Sequence, residues 1–189
     1  MNLRCAICRS PWLSTATAIL FTKAPLANGG NVSARLKSSY RRNHDVNKTA
    51  FWKQKKLHEL DEQEWESVCD GCGRCCLHKM EDSDTGQLHF TRIACKLLDV
   101  DTCRCSNYPD RFSFVPDCIS LKHDLYNTLK WLPSSCAYRL LAEGKDLPDW
   151  HPLVSGEQVS VEIAGISIRH FAVSEEDSGD PLAYIIDDL

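Results

Sequence analysis

The octapeptide Cys69-Asp70-Gly71-Cys72-Gly73-Arg74-Cys75-Cys76 constrains this chain more than any other stretch. It sets four thiols close together, with two glycines, one acid and one cation between them. Five further cysteines follow, Cys95, Cys103, Cys105, Cys118 and Cys136, and none comes later. Crowded free thiols oxidise or cross-link, so a density like this calls for something that binds them. Metal binding is the first chemistry to weigh.

Zinc and iron–sulfur centres both take thiolates, and C-x-x-C lets one tight turn aim two sulfurs at one ion. Gly71 and Gly73 stand where such a turn needs positive φ and close approach of backbone N–H groups to sulfur. The spacing of Cys69, Cys72 and Cys75 equals the first three ligands of a bacterial ferredoxin run, whose fourth ligand and following proline are absent here. Cys75 and Cys76 are the unusual pair, because adjacent side chains diverge by about 100° on a helix and to opposite faces of a strand. Either Cys76 turns to a second metal or a packed position, or the centre is polynuclear and accepts sulfurs from two directions. A disulfide framework fits poorly: residues 45–189 hold nine cysteines, an odd number, and no clear secretory signal precedes them. A redox C-x-x-C enzyme would need a βαβ setting that the flanks do not supply.

Downstream, Asp84-Thr85-Gly86 reads as a turn and Gln87 to Ile93 as a strand with Leu88, Phe90 and Arg92 on one face. Cys95 follows, then Cys103-Arg104-Cys105, a C-x-C whose sulfurs can flank a metal. Pro109 and Pro116 bracket an irregular aromatic stretch ending at Cys118, the kind of segment that a metal orders. Leu121, Leu125 and Leu129 predict a helix over Ser120 to Leu132, stopped by Pro133. Ser134 or Ser135 then caps a second helix, Cys136 to Glu143, closed by Gly144. Cys136 in its first turn is a distal ligand or a small core residue. Arg74, Lys79, Arg92, Lys96 and Arg104 interleave with the thiols and would offset thiolate charge. His78, His89, His123 and His151 are further possible ligands.

The flanks differ from this middle. Residues 1–44 carry seven basic residues and no acid, leaving fifteen basic residues against all 26 acidic ones in the remainder. So acidic a body repels phosphate backbones, which argues against nucleic acid as a partner. No apolar run approaches the ~20 residues that cross a membrane. Residues 1–44 read as a disordered or targeting-like extension, and their Cys5 and Cys8 take no assigned site. Thr49 opens a helix over Ala50 to Leu60, and Asp61 with Glu64 forms a capping box for another. Trp65 and Val68 turn inward, with Phe51 and Trp52. Near the other end Val159, Val161 and Ile163 alternate before Ala164-Gly165, which predicts a β-hairpin continuing through Ile166 and Ile168. Residues 174–189 are acidic and read as a frayed tail. No nucleophile–base pair, phosphate loop or paired carboxylates is visible, so no catalytic residue is assigned.

The run FWK, EWESVCDGCGRCCLHK, ACKLLD, CRCSNY, PDC, WLP, CAYRLLAEGKDLP and WHPL closely resembles the YcgN branch of the YkgJ cysteine-cluster family, over about residues 50–173. The resemblance implies a small bacterial-type protein chelating zinc or iron, and the ferredoxin-like spacing adds an iron–sulfur cluster as an alternative. It puts the cluster on Cys69, Cys72, Cys75 and Cys76, with Cys95, Cys103, Cys105 and Cys118 downstream. It also implies a cytoplasmic location, organelle targeting through residues 1–44 being the alternative, and a protein partner such as a modifying enzyme. The expected architecture is α+β: a small, mainly helical, loop-rich metal-bound domain over 45–173 with a C-terminal β-hairpin, then the tail 174–189. The metal is expected to be structural, with iron–sulfur redox or sensing as the alternative.

Overall fold

The structure is a computed structural model and describes residues 3–5, 50–186 and 189. The elements are short and alternate between helix and strand, so the α+β class stands. Of the N-terminal extension only β1 (Leu3–Cys5) is described, as a strand paired with β2 (Leu77–Asp82), and Thr49 lies outside the described residues.

The lead-in helix predicted over Ala50 to Leu60 is instead α1 (Phe51–Gln54) followed by a separate 3-10 turn, Leu57–Glu59. Its successor α2 (Glu62–Val68) starts as expected: Asp61 accepts from the Glu64 N–H at 2.8 Å, and Glu64 reaches back to the Asp61 N–H at 3.0 Å. Trp65 and Val68 on α2 are buried. They join Leu125, Leu132, Ala137, Tyr138 and Leu147 in a helical core, with Phe51 and Trp52 packed against it. Leu125 comes from α4 (Leu121–Thr128), which is shorter than predicted because Asp124 breaks helical geometry and a 3-10 turn, Leu129–Trp131, replaces the last turn. Ala137 and Tyr138 open α5 (Ala137–Ala142), whose cap residue is Cys136 itself rather than Ser134 or Ser135.

The second core belongs to a sheet. β2 pairs antiparallel with β3 (Leu88–Ala94) through the predicted turn, where Asp82 accepts from the N–H groups of Asp84 and Thr85 at 2.8 and 3.0 Å. The buried positions of β3 are Thr91, Ile93 and Ala94, whereas Leu88, Phe90 and Arg92 form its half-buried face. The outer edge of β3 is covered twice. β6 (Val173–Ser174) lies parallel to Ile93 and Ala94, and β7 (Ile185–Ile186) antiparallel to Phe90 and Thr91. Capping an open edge in this way removes unpaired backbone groups. Leu77, Ala94, Leu98, Cys103 and Ile168 form the sheet core. A two-stranded ladder, β4 (Leu98–Asp99) with β5 (Arg104–Cys105), adjoins it. The aromatic stretch between Pro109 and Pro116 holds one turn, α3 (Arg111–Phe114).

Two predictions for the C-terminal part fail. The β-hairpin is absent: Val159 precedes α6 (Ser160–Ile163), and Ile168 begins a 3-10 turn. Of Val159, Val161 and Ile163 only Val161 is buried, at 4% exposure against 50% and 78% for its neighbours, so the alternating apolar residues share no sheet face. Gly165 at φ 69° receives the chain at the helix end, where its N–H reaches Glu162 and the Ile166 N–H reaches Val161. Ala-Gly is here a helix stop rather than a hairpin turn. Nor does the acidic stretch after Ser174 fray. Glu175 holds the Lys96 N–H at 3.0 Å and faces His78 at 3.2 Å, and β7 lies on β3. Among the described residues no helix is long and apolar enough to cross a membrane.

The helical core depends on one buried hydrogen bond. Tyr138 donates its hydroxyl to the Trp65 carbonyl at 2.8 Å, with ring centroids 4.7 Å apart. In Tyr138→Phe the ring contact stays and a buried acceptor is orphaned. The expected cost is about 1–3 kcal/mol, read as a lower urea midpoint at unchanged slope.

Candidate metal centre

The cysteine octapeptide is a double reversal of the chain. Cys69 caps the C-terminus of α2. Asp70 then accepts from the Cys72 N–H through Oδ1 at 2.9 Å, a local turn that lets Gly71 and Gly73 take φ 74° and 78°. Gly73 is required for space as well as for φ: a Cβ there would lie 2.8 Å from Cγ1 of Ile168, which is fully buried. The Ile168 N–H donates to the Cys72 carbonyl at 3.0 Å. Arg74 extends across to the same segment, its Nε donating to the Ile166 carbonyl at 2.6 Å and its Nη2 to that of Gly165 at 3.2 Å. A 3-10 turn, Arg74–Cys76, then delivers the chain into β2.

Each predicted thiol can be placed. Cys75 and Cys76 have sulfurs 3.9 Å apart, yet Cys75 packs on the helical core and Cys76 on the sheet core. Cys95 is tied to the cluster by its N–H, which donates to the Cys76 carbonyl at 2.9 Å. Cys105 pairs with Leu98 across the small ladder, and the Leu98 N–H donates to the Cys95 carbonyl at 2.7 Å. Cys118 follows α3 and is half-buried. Cys103 is buried at φ 54°, its sulfur 3.5 Å from the Ser167 hydroxyl. The nine cysteines from Cys69 to Cys136 are all free thiols. Among the described residues no three His, Cys, Asp or Glu side chains are drawn together closely enough to hold an ion.

Electrostatics divide the thiols sharply. Burial pushes Cys136 up to about 12, and the Cys75 charge adds to this. Cys69 is exposed as a residue, but its thiol is withdrawn from solvent and likewise raised to about 12. Cys75 is drawn below the ordinary thiol range by the hydrogen bond from Cys76, with the Lys79 ammonium assisting, and Cys76 is raised in consequence.

Of the predicted cations, Lys79 lies buried among the thiols, and Arg74 is close enough to Cys72 and Asp70 to feel their charge. The Lys79 side chain is fully buried, and its Nζ donates to the carbonyls of Cys75 and Leu77 at 2.8 and 2.7 Å. The charges that Lys79 faces are the thiols of Cys75, Cys76, Cys136 and Cys95. Arg92 instead stacks on Tyr184, and Arg104 lies against Gly71. Asp70 is 7% exposed, and its second oxygen, Oδ2, is buried without a hydrogen-bond partner among the described residues. A buried carboxylate oxygen left unpaired is costly unless something completes it.

Soft sulfur donors, a buried ammonium to balance their charge and an unfilled oxygen together suit zinc or iron. A cleft of about 400 Å³, lined by Asp70, Gly71, Arg104 and Arg169 among others, opens beside the turn. The histidines contribute less. His151 donates from Nε2 to the Val68 carbonyl at 3.1 Å and accepts the Leu153 N–H at Nδ1, so both nitrogens are committed. His78 faces Glu175. Sequence reasoning passed over Asp70, although an acid between two cysteines of a C-x-x-C was a visible signal.

The CxxCxxCC family, described as "Putative zinc- or iron-chelating domain", matches residues 68–137. The UPF0260 protein YcgN of Shigella boydii is 53% identical over 134 residues, covering 71% of this chain and 88% of that protein. A UPF0260 protein of Granulibacter bethesdensis is 56% identical over 136 residues, covering 72% and 82%. YcgN of Escherichia coli is 52% identical over 134 residues, covering 71% and 88%. No solved structure matches the chain significantly. With identity of this order across most of both chains, the protein belongs to the UPF0260 family.

Proposed function

We propose that this protein binds zinc or iron through thiolates drawn from Cys69, Cys72, Cys75, Cys76, Cys95, Cys103, Cys105 and Cys118, and that the metal is structural. The observation that carries the reading is the fully buried ammonium of Lys79 among four thiols. An unbalanced buried cation is expensive, and thiolate ligands supply the balancing charge. Bound there, the metal would cross-link the β4–β5 ladder and the loop before Cys118 to the end of α2. Zinc saturated with thiolates keeps no open position for water, so hydrolytic chemistry has no foothold. Thiolate ligands also need a reducing setting, which in this reading is the cytoplasm.

One observation favours a second reading. Cys75 and Cys76 present sulfurs 3.9 Å apart from two different cores, an approach that a polynuclear iron–sulfur centre accommodates. Anaerobic purification of the full chain separates the two. Colourless protein with zinc supports the first reading, and broad visible absorption with iron supports the second. Protein free of both metals, with every thiol titratable, would overturn each.

Two substitutions test the assignment further. Cys72→Ser should lower metal content and melting temperature together, because metal affinity contributes folding free energy here. Unchanged values of both count against the assignment. Lys79→Met keeps the length of the side chain and removes its charge. It should weaken metal binding by about 10- to 100-fold in chelator competition, while metal-stripped protein melts no lower than its parent.

A further inference from the structure

The cleft of about 400 Å³ beside the cysteine turn is built by three segments that are distant in sequence. Asp70 and Gly71 come from the turn, Thr102 and Arg104 from the β4–β5 ladder, and Val159 and Val161 from the start of α6. Specific bonds tie these walls together. Nη2 of Arg169 donates to the Thr102 carbonyl at 3.3 Å, and the same guanidinium pairs with Glu162 through Nη1. The Ser167 hydroxyl lies 3.5 Å from the Cys103 sulfur, and the Ile168 N–H fixes that segment to the Cys72 carbonyl. The cleft is therefore formed before anything enters it, as small-molecule sites commonly are.

Its charges are unevenly matched. Two cations, Arg104 and Arg169, and two carboxylates, Asp70 and Glu162, line it, so their sum is zero. Arg169 and Glu162 satisfy each other. Asp70 is 7% exposed, with one oxygen given to the Cys72 N–H. The Arg104 side chain is exposed and makes no hydrogen bond, ion pair or ring contact among the described residues. Its guanidinium lies beside Gly71, with Nη2 3.7 Å from where a Cβ would stand. Arg104 is thus the lining cation left open, and a planar guanidinium fork matches a carboxylate with two parallel hydrogen bonds. A second negative charge on an occupant would face Asp70 and Glu162 with no cation to balance it, which favours a monoanion over phosphate. Val159, half exposed, and Val161 add apolar surface that a few carbons can cover.

We propose that this cleft binds a monocarboxylate with a short apolar body, its carboxylate held by the fork of Arg104 and its carbons laid on Val159 and Val161. Two sources share that chemistry, a free small acid and the C-terminal residue of a peptide. The volume lies toward the low end for ligand sites, which suits an occupant of this size. Neither Arg104 nor Val159 belongs to the thiolate reading above, so loss of this binding and loss of metal are separable.

The test is isothermal titration calorimetry on the full chain as purified, with its metal content measured alongside. The probes are N-acetyl-L-leucine, a tetrapeptide ending in leucine with a free carboxylate, N-acetyl-L-leucinamide and inorganic phosphate. At least one of the two acids should bind saturably, and the amide and phosphate should bind about 10-fold more weakly or worse. Tighter binding of the peptide assigns the cleft to a chain terminus, and tighter binding of the free acid assigns it to a small molecule. Arg104→Gln should weaken acid binding by about 10- to 100-fold, because a charge-assisted pair of hydrogen bonds is lost. Val159→Asp, which sets a like charge beside the carboxylate, should weaken it by about 10-fold or more. Both side chains are exposed, so both variants should keep the parent's melting temperature and metal content. Failure of both acids to bind wild-type protein overturns the proposal. So does amide or phosphate binding as tightly as the acids, or Arg104→Gln binding them as the parent does.

Discussion

The structure depends on the hydrogen bond that joins Cys72 to Ile168 across a turn only glycine can make. Gly71 and Gly73 are left-handed, and Ile168 occupies the space where a side chain on Gly73 would sit. The Cys72 carbonyl accepts the Ile168 N–H, and Arg74 fastens the preceding carbonyls of Gly165 and Ile166. Ile168 is also central to the sheet core, while Cys69 ends the helix on which the other core is built. One turn therefore couples two small cores. Neither is large, and the thiols lie along the seam between them.

That seam explains the odd chemistry of β2. A strand with the sequence Leu77-His78-Lys79-Met80 would ordinarily place its polar residues in water, yet all four are buried. The ammonium of Lys79 finds two carbonyls and the face of Phe90 instead of solvent, with four thiols near enough to act on it. Carbonyl dipoles alone compensate a buried charge incompletely, whereas thiolates complete it. The same logic applies with opposite sign to Asp70, whose second oxygen awaits a partner.

Several features were legible in the residues themselves. The Asp61–Glu64 capping box, the positive φ of Gly71 and Gly73, the turn at Asp84-Thr85-Gly86 and the burial of Trp65 and Val68 are local matters of φ and hydrogen-bond geometry. Kinship with the UPF0260 proteins, YcgN among them, was equally readable from the blocks around the thiols. The reading went astray where a pattern had two meanings. Val159, Val161 and Ile163 alternate like a strand, but with no partner strand nearby they form a helical turn that buries Val161 alone. The acidic end looked too polar to pack, yet it supplies Glu175 to Lys96 and His78 and a strand to the edge of β3. β2 escaped notice because its residues resemble a solvated segment.

By itself the sequence determined the chemistry and the punctuation: which atoms are soft donors, where the chain must reverse, where helices start and stop. Those depend on side-chain identity and on neighbours a few residues away. Only the tertiary structure decided that Lys79 is buried and that Asp70 is left with an oxygen unpaired among the described residues. These follow from contacts between residues far apart in the chain, Cys72 with Ile168 and Trp65 with Tyr138 above all, which no local pattern encodes.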